Sequence, residues 1–278
     1  MSWEYEAIFD REINGQWLPW ESEPTQVPLG SMGYRTKTTR AGKRLEAEIY
    51  PIFGKRGAAQ ARAAKENVTS EAMRRLNLER SRRYIVQLAD ANFTEEDISL
   101  TLTYAGDPPP YEQCQKDIRN FLGRVKRARK KAGLPDLKYI YTIEDYQEGK
   151  TKRIHTHMLM SGGLDRDLLE KMWRNGYANA DRLRPDQNGL EAIARYMTKQ
   201  QKNRKKWVAS KNLKKPKVRV SDTKASRGRV KRMAMGFENE AKEVMEKIYP
   251  GYDYVSSKVF WSDVIDGVYI RAVMRRRD

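Results

Sequence analysis

Only two of the 278 residues are histidine, and both fall in RIHTHMLM, residues 153–160, as His155 and His157. The β-branched and bulky apolar neighbours Ile154, Thr156, Met158, Leu159 and Met160 favour an extended chain, where residues two apart project from one face. Two imidazoles side by side on a strand are the beginning of a divalent-metal site. The run KYIYTIE, residues 138–144, is also strand-like, and Gln147, Glu148, Gly149 and Lys150 make a polar, glycine-containing turn between the two runs. A hairpin turning near Gly149 puts Glu144 opposite His155 and Thr142 opposite His157, with Tyr141, Ile143 and Met158 on the other, apolar face. Opposed Cβ atoms lie roughly 5 Å apart and diagonal ones about 7 Å, so Glu144, His155 and His157 are within reach of one ion. A histidine in a strand is more often a hydrogen-bonded, half-buried residue than a ligand. The carboxylate across the hairpin brings the two readings level, and the features that follow favour ligation.

A second chemical feature follows in GLEAIARYMTKQQ, residues 189–201. Leu190, Ile193, Ala194 and Met197 recur at helical spacing, which predicts a helix buried on one side. Tyr196 flanks that stripe, and Lys199, three residues on, shares its part of the helix surface. A phenol is a weak nucleophile at neutral pH until its proton is removed, and a lysine beside it both favours the phenolate and neutralises charge that develops on an attacked phosphate. With two histidines and a carboxylate for Mg²⁺ or Mn²⁺, these residues form a complete set for phosphoryl transfer, which asks mainly for positioning and charge neutralisation.

The charge of the chain fits a polyanionic substrate. Lys and Arg outnumber Asp and Glu by 18, and residues 200–232 hold 14 basic residues against Asp222 alone. Such a run is the means of holding a phosphate backbone; Lys202, Arg204, Lys205 and Lys206, which directly follow the tyrosine helix, are the candidate DNA contacts. One cysteine, Cys114, excludes internal disulfides and cysteine-based zinc sites, so a reducing compartment is expected. No apolar run approaches the ~20 residues of a membrane span, and the start MSWEYEAIFDRE lacks the features of a secretory signal; a soluble, cytoplasmic protein without a membrane partner is expected.

Several elements must hold these groups in place. YRTKTTRAGKRLEAEIY, from Tyr34, alternates around Ala41 and Gly42 and predicts a hairpin. Residues 55–92 read as helical, with a basic stretch through Arg74, Arg75, Arg80, Arg82 and Arg83 that lies along phosphates or is a solvated face. ISLTLTY, 98–104, is a strand. Tyr111 to Ala132 is a helix striped by Ile118, Phe121, Leu122 and Val125 and stopped at Gly133. A short helix over 164–173, a strand over 175–183, a helix over 237–248, and strands over 252–259 and 268–274 complete the pattern. Three regions are expected: an N-terminal extension over 1–31, a central domain over 32–215 that includes the first hairpin, and a basic linker with a helix-strand extension over 216–278.

At this point the chain resembles a known family, the HUH endonucleases that initiate rolling-circle replication in phages and plasmids. SLTLTY, 99–104, looks like the family's first motif, His155-Thr156-His157 like its histidine motif, and Tyr196-Met197-Thr198-Lys199 like its YxxK motif, in the family's order. Thr156 stands where the family usually has a bulky apolar residue. The resemblance implies an α+β fold, a central antiparallel sheet with flanking helices. It further implies a single-tyrosine initiator that nicks one strand of origin DNA with a divalent metal, keeps the 5′ phosphate on Tyr196 and leaves a 3′ hydroxyl to prime synthesis. No GxxxxGK[ST] loop occurs, so a helicase, like the DNA polymerase, is expected from the host in trans.

Two rivals share some of these residues. The facial triad of a non-haem iron oxygenase is also two histidines and a carboxylate, but it leaves Tyr196, Lys199 and the basic run without a role. The other is a DNA-binding protein of a mobile element without catalysis, such as a repressor, which metal-dependent nicking of single-stranded DNA separates from the main reading.

Overall fold

The computed structural model describes residues 33–52, 71–107, 109–144, 154–198, 207–236, 238–261 and 267–277. These residues make an α+β fold with two antiparallel five-stranded sheets and six helices. The chain divides into two compact units, one formed by Met1–Arg83 with Pro216–Asp278 and the other by Tyr84–Lys215. Among the described helices, none is long and apolar enough to cross a membrane.

The second unit carries the histidines. Its strands are β3 (Ile98–Tyr104), β4 (Tyr139–Glu144), β5 (His155–Met160), β6 (Gly176–Arg182) and β7 (Val208–Ala209), ordered β6-β3-β5-β4-β7, which puts the histidine strand in the middle. Strict alternation in β3 turns Leu100 and Leu102 to one face, where they join Met158, Met160, Tyr141 and Ile143 against α2 (Tyr111–Lys131). The stripe of α2 is Cys114, Ile118, Phe121, Leu122 and Val125, all buried. Gly133 ends that helix at φ +68°, with the Gly133 amide donating to Lys130 and the Leu134 amide to Arg129, a closure in which a left-handed glycine satisfies the last carbonyls. On the other face Ile140 and Leu159 pack with Ile85, Val86, Leu88 and Ala89 of α1 (Glu71–Asn92) and with Leu190, Ala194 and Met197 on and beside α4 (Glu191–Met197). A short helix, α3 (Arg166–Lys171), precedes β6.

In the first unit, β1 (Gly33–Ala41) and β2 (Arg44–Ile52) form the expected hairpin, turning at Gly42 with φ +60°. Its partners differ from expectation. The sheet runs β8-β1-β2-β10-β9, adding β8 (Lys217–Ser221), β9 (Tyr252–Trp261) and β10 (Val268–Arg276), so the hairpin belongs with the C-terminal strands and lies outside the histidine sheet. The stretch expected as a basic linker is likewise structured, as β8 and α5 (Arg227–Met235), followed by α6 (Glu238–Ile248). Alternation in β1 identifies a strand and not its neighbour, and the charge density of 217–232 hides the apolar positions Val230 and Met233 that seat α5 in the core. The expected N-terminal extension and residues 53–70 lie outside the described residues.

One face of this sheet packs on α5 and α6 through Leu45, Ala47, Ile49, Ala272 and Met274. The other holds a buried ion network: Arg44 to Glu46 at 2.7 Å, Arg271 to Glu46 at 3.6 Å, and Glu48 taking Arg83 at 2.5 Å and Lys37 at 3.2 Å, with the Tyr269 hydroxyl donating at 2.5 Å. Burial by itself raises the Glu48 carboxyl, but Arg83, Lys37 and the Tyr269 hydroxyl outweigh it and bring the pKa down to about 2. A carboxyl depressed in the folded state stabilises above its unfolded pKa of about 4.3 and loses that contribution as pH falls towards 2. The contribution at neutral pH is about 3 kcal/mol. Thermal melts should therefore show Tm falling steeply between pH 4.5 and 2, and Glu48→Gln should flatten that dependence; an equally steep fall in the variant contradicts the assignment.

Candidate functional site

The β4–β5 register is the one expected from the spacing: Glu144 pairs with His155, Thr142 with His157, Ile143 with Thr156 and Tyr141 with Met158. From the other side, β3 brings Thr103 opposite His155 and Thr101 opposite His157. The two imidazoles stack along the strand with centroids 6.5 Å apart and planes 21° from parallel, both half-buried. His157 is held at both nitrogens. Its Nε2 lies 3.3 Å from Glu144 Oε2 and its Nδ1 3.3 Å from Thr101 Oγ1. A carboxylate only accepts, so in the neutral ring the proton sits on Nε2 and Nδ1 accepts from the threonine hydroxyl. Thr142, buried beside His157 on the same face, has no hydrogen-bond partner for its hydroxyl among the described residues.

The tyrosine helix lies over this face because its stripe fits the apolar end of the same sheet. Ala194 and Met197 are buried there, the Leu190 amide donates to Asp90 Oδ1 of α1 at 2.9 Å, and the Thr198 hydroxyl closes the last turn on the Ala194 and Arg195 carbonyls. Tyr196 then meets His157 edge to face, with centroids 5.1 Å apart and planes at 74°, while 52% of the residue stays open to solvent. Other tyrosines of the unit are differently placed. Tyr104 is buried and donates to Asp117 at 3.1 Å; burial first, then Cys114 and Asp117, pushes its phenol up. Burial likewise raises Tyr139 and Tyr141. Their phenolates are disfavoured, as expected for side chains that pack a sheet. Tyr177 is the exception: it is 70% exposed on β6, in register with Thr103 and through it with His155, on the face that bears the histidines.

The structure thus brings together Glu144, His155, His157 and Tyr196. Lys199, Lys202, Arg204, Lys205 and Lys206 lie outside the described residues. The donor set of Glu144, His155 and His157 suits a divalent ion in type and in its position on neighbouring strands, and the unpartnered Thr142 hydroxyl marks a place where the polar site is incomplete. The three side chains are not drawn in around a common point: among the described residues no three His, Cys, Asp or Glu groups converge as ligands, and Glu144 instead touches His157 directly. Local sequence patterns do not single out Thr101 and Tyr177, because their proximity to the histidines depends on the order β6-β3-β5, which no such pattern encodes.

Residues 97–201 match a family model described as Replication-associated protein ORF2. The match begins at the residue before β3, takes in β4, β5 and α4, and so contains Glu144, His155, His157, Tyr196 and Lys199. No curated protein and no solved structure matched the chain. Over the stretch that builds the site, the chain is similar to replication-associated proteins, which is consistent with a replication initiator and with binding DNA.

Proposed function

We propose that the protein initiates rolling-circle replication by nicking and rejoining one strand of origin DNA, as a single-tyrosine HUH endonuclease with Tyr196 as the nucleophile. The observation that carries this reading is the exposed phenol of Tyr196 set against the His157 ring on the face that also bears Glu144 and His155. The Tyr196 oxygen, its proton released to water, forms a bond to phosphorus in line with the 3′ oxygen. That P–O bond breaks, the 3′ oxygen takes up a proton, and the 5′ phosphate remains as a tyrosyl phosphodiester. One ester replaces another, so rejoining by the reverse attack of a 3′ hydroxyl needs no nucleotide. Lys199 neutralises charge on the phosphorane, and Lys202, Arg204, Lys205 and Lys206 hold the backbone of the strand. Glu144, His155 and His157 would hold Mg²⁺ or Mn²⁺, which when bound polarises the scissile phosphate. Helicase and polymerase act from the host.

The test is incubation of the full chain with labelled single strands from its own replicon, with and without Mn²⁺. Cleavage to a free 3′ hydroxyl with a covalent protein–DNA adduct is expected only with metal; strand binding without either product supports the non-catalytic rival. Thr101 offers a finer check. A hydroxyl that fixes the ring of a ligating histidine is worth ~10–100-fold in metal affinity, so Thr101→Val should weaken Mn²⁺ binding, measured by calorimetry, by that factor and Thr101→Ser should restore it. Equal affinity in Thr101→Val and wild type removes Thr101 from the site.

A further inference from the structure

Unit one carries a cluster of cations set apart from the ion pairs on the other face of its sheet. On the face opposite the α5–α6 core, Arg35, Lys37, Arg44 and Arg271 each meet a carboxylate. At the β1–β8 corner of the core face, Arg40 stands directly opposite Lys217 and Arg219 opposite Thr38, so two like charges face each other across the strands. Lys224 completes the cluster: its ammonium lies 4.3 Å over the ring of Tyr249, whose hydroxyl meets Thr38 at 2.5 Å. Burial, Arg40 and Arg219 together depress the Lys224 amine. Among the described residues none of these four cations has a carboxylate partner, and the one acid of the basic run, Asp222, is taken by Arg35 at 2.6 and 2.8 Å. Helix α5 starts just beyond, capped by Ser226, with no acidic residue in its first turn.

Directly opposed like charges destabilise a sheet. Lysine on an edge strand discourages pairing with other chains, which accounts for Lys217. It accounts neither for Arg40 on the inner neighbour strand nor for an ammonium drawn over a buried tyrosine. A cluster kept against its own repulsion is complementary to a polyanion. Among the described residues the patch also lacks an exposed aromatic: Tyr249 is buried, and the exposed large apolar residues in this unit are Val218, Val220 and Met235. Single strands are held by stacking bases on aromatic faces, whereas a duplex presents only its phosphates to such a surface. We infer that Arg40, Lys217, Arg219 and Lys224 form a second DNA-binding surface, for the phosphate backbone of duplex DNA, on the unit that does not carry the histidines. It does not depend on the nicking chemistry proposed for the other unit.

The experiment compares the full chain with an Arg40→Gln/Arg219→Gln/Lys224→Gln variant by fluorescence anisotropy on a duplex of about 30 base pairs and on a single strand of equal length, over a salt series. With one phosphate contact per cation, the slope of log K against log salt on duplex should become shallower by about two to three, while the single-strand slope changes by less than about one. Lys242→Gln/Lys247→Gln, on the exposed side of α6, should leave the duplex slope within about half a unit and control for net charge. The melting temperature of Arg40→Gln/Arg219→Gln should hold or rise, because a repulsion is removed; a merely structural cluster would lose stability instead. An unchanged duplex slope, or equal loss on duplex and single strand, overturns the inference. Mn²⁺-dependent nicking of single strands by the triple variant is read in parallel, so failure of the nicking proposal is seen separately.

Discussion

Tyr196→Phe should abolish nicking and adduct formation together, while the binding of single strands and of Mn²⁺ survives. The substitution removes one oxygen and nothing else. Because the residue is half open to solvent and its contact with His157 runs through ring edge and face, the phenylalanine keeps the same packing and no buried group loses a partner. A surface change of this kind costs no more than about 0.5 kcal/mol of stability. The chemical effect is of another order: without a nucleophile the tyrosyl ester cannot form, and the cleavage rate should fall by at least ~10⁴-fold. Single-turnover cleavage with strand binding measured in parallel separates the two. Wild-type binding with no product is the expected pattern, and residual adduct within tenfold of wild type removes Tyr196 from the reaction.

The second large effect belongs to the histidines. His155→Ala/His157→Ala should eliminate Mn²⁺-dependent nicking and reduce Mn²⁺ affinity beyond detection, with folding largely intact, because both rings are half-buried on the polar end of a sheet whose apolar end carries the packing. The single variants should not be equal. His157 touches Glu144, Thr101 and the Tyr196 ring, so its loss also frees the nucleophile; His155→Ala leaves those three contacts in place. Glu144→Ala should weaken the metal less than either, with Asp145, next in the sequence, as a substitute donor. Calorimetric Mn²⁺ titration of each variant, alongside circular dichroism, reads affinity and fold independently. Nicking at the wild-type rate in the double variant would contradict the metal proposal.

How much of this is legible in the chain depends on the range of the contact. The His155–Glu144 and His157–Thr142 register follows from a period of two and from a turn expected near Gly149, itself outside the described residues, all within about twenty residues of sequence. The helix under Tyr196 follows from Leu190, Ile193, Ala194 and Met197. Both are local patterns that the global fold leaves intact. Thr101 lies 56 residues from His157, and their hydrogen bond exists only because β3 sits beside β5; alternation in ISLTLTY marks Thr101 as half-exposed without naming its neighbour. The same limit misplaces the first hairpin: Thr36, Thr38 and Arg40 alternate as well against one sheet as another, and their pairing with Lys217 to Ser221 spans most of the chain. Charge hides the rest. In KVRVS the valines alternate with Lys217 and Arg219, so an edge strand passes for linker when basic residues are counted before the apolar period.

The central claim is a covalent bond between DNA and one particular phenol, and mass spectrometry of the trapped adduct tests it directly. The full chain is incubated with single-stranded origin DNA and Mn²⁺, the product digested with nuclease and protease, and the nucleotide-bearing peptide sequenced. The nucleotide is expected on Tyr196, in the peptide that runs into Met197 and Thr198. Its appearance on Tyr177, the other strongly exposed tyrosine described on the histidine face, or the absence of any tyrosyl adduct when cleavage has occurred, would contradict the assignment.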